Sequence, residues 1–227
     1  VTMRTPGNDH ELAAGFLFTE GIIKNKAAIK ETTQSTADEN SVLIILQENI
    51  QPTLSNAARN FYSTSSCGIC GKASIESIRT ISQYTEQKDQ FIIHAAVLYT
   101  LPAALKDHQK VFEDTGGIHA CALFDVAGNI ITLREDVGRH NALDKIVGAA
   151  LLNDELPLSN CVLLLSGRAS FELVQKAAMA GIKIIAAVGA PSSLAVELAT
   201  ETGITLIGFL RNDRFNIYSG KERISLR

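Results

Sequence analysis

The sequence predicts an α/β protein with a three-layer α/β/α core from about residue 85 onward, preceded by a smaller α+β unit. Three observations predict it. Cys161-Val162-Leu163-Leu164-Leu165, residues 183–188 and residues 204–209 are short, nearly unbroken apolar runs, the pattern of strands buried on both faces. Between them, residues 171–180 and 194–201 have helical spacing and end at Gly181 and Gly203. The links are short and rich in glycine, and strand–helix–strand–helix–strand with such links predicts right-handed crossovers over a mostly parallel sheet.

The earlier elements follow in order. The chain opens on Val1-Thr2-Met3-Arg4-Thr5-Pro6-Gly7, read as the end of a strand entering a turn, so a preceding strand is expected. Asn8 is placed to cap a helix and Glu11 to close a capping box, with Leu12, Phe16 and Leu17 on the apolar face and Gly21 at the end. His10 reads as an exposed first-turn residue. Residues 41–48 form an apolar strand, with 29–36 as its partner. After the cysteine pair, residues 73–81 have helical spacing. Residues 91–93 are a short extended piece. Residues 95–101 and 102–112 read as two consecutive helices, with Pro102 at a first turn. Residues 118–124 and 130–133 form a hairpin around 125–129, and residues 139–152 a helix apolar at Leu143, Ile146, Val147 and Ala150. Residues 215–218 add an edge strand. The expected organisation is a unit over 1–62, a cysteine loop with its following helix over 63–84, and the α/β/α domain over 85–227.

Composition narrows the function. The chain has 227 residues, 46% of them hydrophobic, and a net charge of -3 with both signs interspersed. It is long enough to bury a core without disulfide staples. It has no lysine or arginine block, which disfavours nucleic acid as a partner. Apolar runs break well before the ~18 residues of a membrane span, and no signal peptide is seen. Four cysteines in this length make no disulfide framework, so a reducing, cytoplasmic setting is expected.

The chemistry centres on Ser65-Ser66-Cys67-Gly68-Ile69-Cys70-Gly71-Lys72. Two thiols two residues apart, on a loop of glycine and small hydroxyl residues, suit nucleophilic sulfur chemistry, because such a pair commonly has a populated thiolate. A helix starting just after them favours the thiolate further. Zinc is not expected, since His119 and Cys121 are not a second pair at matching spacing and no H-x-E motif occurs. Cys121 and Cys161 lie in apolar strands and read as inert thiols. The carboxyl ends of the core strands hold Ser166-Gly167-Arg168-Ala169-Ser170, Gly189-Ala190-Pro191-Ser192-Ser193 and residues 208–214. Ligands of open parallel sheets bind at such ends, and Arg168, Arg211 and Arg214 suit a phosphorylated, nucleotide-like ligand. No dinucleotide fingerprint or Walker loop is present. Arg134-Glu135-Asp136-Val137-Gly138-Arg139-His140-Asn141-Ala142-Leu143-Asp144-Lys145 is the densest polar cluster. There Asp136 or Asn141 can cap the helix, Asp144 and Lys145 read as exposed charge, and His140 reads equally as a base, a ligand contact or a structural histidine.

The cysteine stretch, the cluster from Arg134 to Lys145, Ser166-Gly167-Arg168-Ala169-Ser170-Phe171-Glu172 and the opening Met3-Arg4-Thr5-Pro6-Gly7 together resemble the FdhD family, sulfur carriers required for formate dehydrogenase activity. The resemblance runs over nearly the whole chain, with family residues before Met3 mostly missing. It implies that Cys67 carries a persulfide taken from a cysteine desulfurase and that Cys70 assists. The sulfur goes to the bis-guanine-dinucleotide molybdenum cofactor before that cofactor enters formate dehydrogenase. Phe209, Leu210, Arg211, Asn212, Asp213 and Arg214 then bind the cofactor, and guanosine diphosphate should mimic it. The resemblance also implies a cytidine deaminase-like fold and a homodimer. Cys121 stands where the family pattern has a small residue. A thiol–disulfide oxidoreductase and a non-enzymatic cofactor chaperone are the alternative functions.

Overall fold

The computed structural model describes residues 1–34, 38, 40–52, 82–84 and 91–226. The expected helix over 73–81 lies outside them. The elements are α1 (Asp9–Thr19), β1 (Ile29–Gln34), β2 (Val42–Leu46), β3 (Ile93–His94), α2 (Ala95–His108), α3 (Lys110–Thr115), β4 (His119–Phe124), β5 (Ile130–Asp136), α4 (Arg139–Leu152), β6 (Val162–Leu165), α5 (Phe171–Met179), β7 (Ile184–Ala187), α6 (Ser193–Glu201), β8 (Thr205–Gly208), β9 (Asn216–Ser219) and β10 (Ile224–Ser225).

Six strands form the main sheet in the order β5-β4-β6-β7-β8-β9. Only β6, β7 and β8 pair in parallel; β4 with β5, β4 with β6, and β8 with β9 are antiparallel. This corrects the expectation of a mostly parallel sheet. A parallel neighbour needs a crossover, here α5 or α6, whereas the turn between β4 and β5 can only reverse the chain. β1 pairs with β2 in an antiparallel ribbon, and β10 closes in parallel on β3.

Strand alternation builds the layers. Cys121, Leu123, Leu163, Leu165, Ile185, Ala187 and Leu206 face one way, against buried residues of α4, α5 and α6. Ala120, Ala122, Phe124, Leu164, Ala186 and Ile207 face the other, against Leu98, Leu101 and Leu105 of α2. A helix layer therefore covers each face of the sheet, which is why the central strands are apolar at every position.

α1 rests on α4 through glycine. A Cβ on Gly15 would run into the Asp144 backbone carbonyl, and one on Gly148 into that of Glu11. A glycine inside a helix costs about 1 kcal/mol relative to alanine; here it lets two backbones touch. Ala14 and Phe18 of α1 join the same apolar cluster as Leu143, Ile146 and Val147.

Several local expectations are corrected. Asn8 makes no capping bond and has a left-handed backbone (φ 57). Glu11 does not complete a capping box but accepts from Arg134 at 2.6 and 2.7 Å. His10 is half-buried. α2 runs unbroken through Pro102 to His108, and the break falls at the buried Gln109. Proline removes one amide hydrogen bond without stopping a helix whose apolar face is packed.

The largest correction concerns Asp144 and Lys145, which are 2% and 1% exposed. The Lys145 ammonium pairs with Asp136 at 2.7 Å and donates to the Thr5 carbonyl at 2.9 Å. Asp144 accepts from the Thr19 hydroxyl at 2.7 Å and from Lys176 at 3.0 Å. Lys176 also donates to Thr19 and Glu20, so α1, α4 and α5 share one buried polar web. Burial works against the Lys176 charge, but Asp144 and Glu20 outweigh it and raise its pKa. Burial raises the Asp144 pKa against the pull of Lys176.

Gly148→Ala should lower stability by about 1–3 kcal/mol in urea unfolding, because a backbone carbonyl cannot yield to the new methyl. Gly117→Ala, where the nearest heavy atom to a new Cβ is 3.9 Å away, should be nearly neutral. Lys176→Met should cost about 3–5 kcal/mol by stranding a buried carboxylate, and adding Asp144→Leu should recover part of the loss. Equal stability of the single and double variants would refute the pairing.

Candidate functional site

Parallel pairing puts the carboxyl ends of β6, β7 and β8 on one rim, and backbone bonds stitch their turns together. Gly189 donates to the Gly167 carbonyl at 2.9 Å, and Phe209 donates to the Gly189 carbonyl at 3.1 Å. Ala169 donates to Ala190 at 3.2 Å, and Ser192 donates back to Ala169 at 3.0 Å. Gly208 is needed by close approach: a Cβ there would lie 2.7 Å from Pro191 and 2.9 Å from the Tyr218 ring. The three sequence-predicted turns thus form one continuous surface.

Residues 209–214 occupy its β8 end. Phe209 is exposed and has a left-handed backbone (φ 54), an uncommon conformation for an aromatic residue, while Leu210 is fully buried. The Arg211 amide donates to the Arg214 carbonyl at 2.9 Å and closes the turn. The Arg211 guanidinium donates to the Val188 and Leu210 carbonyls at 2.7 and 2.8 Å. Arg211 therefore braces the rim. The exposed side chains of Arg168 and Arg214 make no hydrogen bond or ion pair among the described residues. Asn212 and Asp213 are exposed beside them.

Much of the polar cluster before and within α4 is a clamp. Asp136 accepts from the Thr5 amide at 3.1 Å, the Gly138 amide at 2.9 Å and Asn141 at 3.0 Å. Asn141 donates to the Met3 carbonyl at 2.8 Å. No side chain caps the helix proper. These contacts tie the chain's opening residues to the start of α4.

His140 and Arg139 have a different setting. The first turn of α4 meets the start of α5, where His140 Nε2 lies 3.4 Å from Ser170 Oγ and 4.0 Å from Glu172 Oε2. Both neighbours approach the same ring nitrogen, so the trio is not a relay of serine, histidine and acid, which needs the acid on the other nitrogen. The Glu172 carboxylate is buried and, among the described residues, neither oxygen has a hydrogen-bond partner; the buried Arg139 Nε has none there either. Burial, then the charges of Lys176 and Arg139, push the His140 pKa down to about 3. The imidazole is therefore neutral at neutral pH. His119, whose ring lies over Gly167, is also held below the ordinary range, by burial and then by Arg139.

Cys67 and Cys70 lie outside the described residues. Burial, then Asp144 and Asp136, push the Cys121 thiol far up, and its sulfur faces the Arg139 carbonyl at 3.8 Å. The Cys161 thiol is half-buried and also raised, first by burial. Neither setting suits a reactive thiolate. Among the described residues, no group of three or more His, Cys, Asp or Glu side chains is placed to hold a metal ion. Sequence reasoning missed the approach of Glu172 to His140. Their positions at two helix starts are visible in the sequence, but the convergence of those starts is not.

The chain matches the model of the FdhD/NarQ family over residues 1–225. It is 51% identical to the sulfur carrier protein FdhD of Mycolicibacterium paratuberculosis, over 99% of this chain and 85% of that protein. Identity to the sulfur carrier protein FdhD of Streptomyces coelicolor is 48%, over 100% of this chain and 83% of the relative. The protein of that name from Picrophilus torridus is 46% identical, over 99% and 83%. A crystal structure of a Desulfotalea psychrophila protein assigned as a formate dehydrogenase accessory protein superposes with a TM-score of 0.74 at 26% identity, over 99% of this chain and 83% of that one. The match spans nearly the whole chain, the clamp, the rim and both helix starts included, and the chain belongs to the FdhD/NarQ family.

Proposed function

We propose that this chain is a sulfurtransferase that carries persulfide sulfur to the molybdenum cofactor used by formate dehydrogenase. The observation that carries this reading is the match to sulfur carrier proteins over at least 99% of the chain. In the reading, the Cys67 thiolate attacks the terminal sulfur of a cysteine desulfurase persulfide. The desulfurase thiolate leaves, and Cys67 holds the new persulfide with Cys70 assisting. The bis-guanine-dinucleotide molybdenum cofactor is the substrate that receives the sulfur, before it enters formate dehydrogenase.

The rim supports the substrate side of the reading. It offers backbone amides at two helix starts and the unengaged cations Arg168 and Arg214, the donors a diphosphate needs. In this reading residues 209–214 hold the guanine dinucleotide, with the exposed Phe209 ring available to stack on a base. Arg211 acts through the backbone, since its guanidinium is spent on carbonyls. The three-layer core is read as cytidine deaminase-like, and the working form as a cytoplasmic homodimer. No helix among the described residues is long and apolar enough to cross a membrane.

After incubation with a cysteine desulfurase and cysteine, mass spectrometry should find one added sulfur atom on Cys67. Cys67→Ala should abolish both that adduct and the activation of formate dehydrogenase; a loaded, active Cys67→Ala protein would end the assignment. Guanosine diphosphate should bind in calorimetry, and Arg214→Ala should weaken it about tenfold, the loss expected for one charge-assisted contact. Unchanged affinity would remove Arg214 from the site.

A further inference from the structure

We infer that the meeting point of α4 and α5 is a proton-coupled phosphate site, in which an anion binds at the two helix starts while His140 takes up a proton and Glu172 serves as its counter-ion. The inference rests on the nucleotide-binding reading above and deepens it. It adds a phosphate contact outside residues 209–214 and a pH dependence.

The geometry comes from two helices of 14 and 9 residues whose first turns converge, with His140 of one 3.4 Å from Ser170 at the start of the other. No side chain caps either helix, so both present amide hydrogens and the positive ends of their dipoles. Arg139 adds a guanidinium whose Nε has no hydrogen-bond partner among the described residues. These features favour an anion.

The independent observation is Glu172. Its residue is 7% exposed, and both carboxylate oxygens are cut off from water without a donor. Buried carboxylates are ordinarily satisfied, so this one lacks a donor that arrives in another state. His140 Nε2 lies 4.0 Å from Oε2, in reach of a small ring movement. The charged and titratable groups facing His140 are Arg139 on its own helix, Lys176 and Glu172 on α5, Glu20 after α1, and His119 on β4. Burial first, and then the charges of Lys176 and Arg139, hold the imidazole neutral while the site is empty. An anion beside Arg139 offsets those cations, and the unpartnered Glu172 carboxylate, 4.0 Å from the ring, stands in for the water that burial removes. Protonation of His140 then becomes favourable, and its N–H turns to the Glu172 carboxylate. The proton comes from solvent and bonds to whichever ring nitrogen lacks one; no other covalent bond changes.

Linkage fixes the direction of each pH effect. In the empty protein the depressed His140 pKa means that stability falls as pH drops from the ordinary imidazole range towards about 3. With anion bound the dependence reverses: affinity rises as pH falls, by up to about tenfold per pH unit.

The test is calorimetry of guanosine diphosphate and of inorganic pyrophosphate at pH 6, in two buffers of different ionisation enthalpy. Wild-type protein should take up protons as the anion binds, at most one per anion. His140→Gln should take up almost none, and Glu172→Gln clearly less than wild type. Pyrophosphate binding with proton uptake but no guanosine diphosphate binding would keep the inference and remove the guanine reading. Guanosine diphosphate binding without proton uptake would overturn the inference and leave that reading standing. If neither probe binds, both fall. Nitrogen NMR of the His140 imidazole in the wild-type protein, with and without pyrophosphate at pH 6, decides the same question without a variant: a neutral ring in both states refutes the coupling.

Discussion

The close approach of α1 to α4 is the constraint on which the rest of the molecule depends. Gly15 and Gly148 allow backbone contact there, and no larger residue fits without moving a carbonyl. At that distance the end of α1 delivers Thr19 and Glu20 to Lys176, and Lys176 reaches Asp144. An ammonium away from water is tolerated only when its donors are met, and here three oxygens meet them. Separating α1 from α4 would strip Lys176 of Thr19 and Glu20 and Asp144 of Thr19, so apolar packing and the polar web hold each other in register.

The same constraint shapes the rim. Lys176 lies one turn along α5 from Glu172 and is among the charges that keep His140 neutral. The Asp136–Lys145 pair fixes the other side of α4 and ties Thr5 to it. The first turn of α4 is thus held from below by Lys145 and from the side by the opening residues. Rigid placement matters for a site that handles anions, because helix-end electrostatics decay within one turn. The brace that Arg211 makes to Val188 has a similar effect at the β8 end.

Sulfur carriage asks one surface to hold a nucleotide substrate and another to offer a reactive thiol. The described thiols do not meet the second requirement, because burial pushes Cys121 and Cys161 up, away from thiolate chemistry. In the proposed function the sulfur therefore stays on Cys67, while the rim and the α4–α5 junction receive the substrate. A phosphate contact that depends on protonation would make substrate retention sensitive to local pH and to the charge of the group bound.

By itself the sequence determined most elements and the family. Apolar runs at β6, β7 and β8 and glycine stops at Gly181 and Gly203 are local signals, read from spacing alone. The strand-end turns and α4 were legible for the same reason. Tertiary structure decided what spacing does not encode. Asp144 and Lys145 look like solvated charge, and only the arrival of α1 and of Thr5 buries them. Pro102 looks like a helix start, yet packing of Leu98, Leu101 and Leu105 carries α2 through it. Parallel pairing was overestimated because neighbours in a sheet are chosen by long-range packing. The proximity of Glu172 to His140 joins residues 32 positions apart on two helices, and only the crossing of those helices brings an unsatisfied carboxylate to an imidazole.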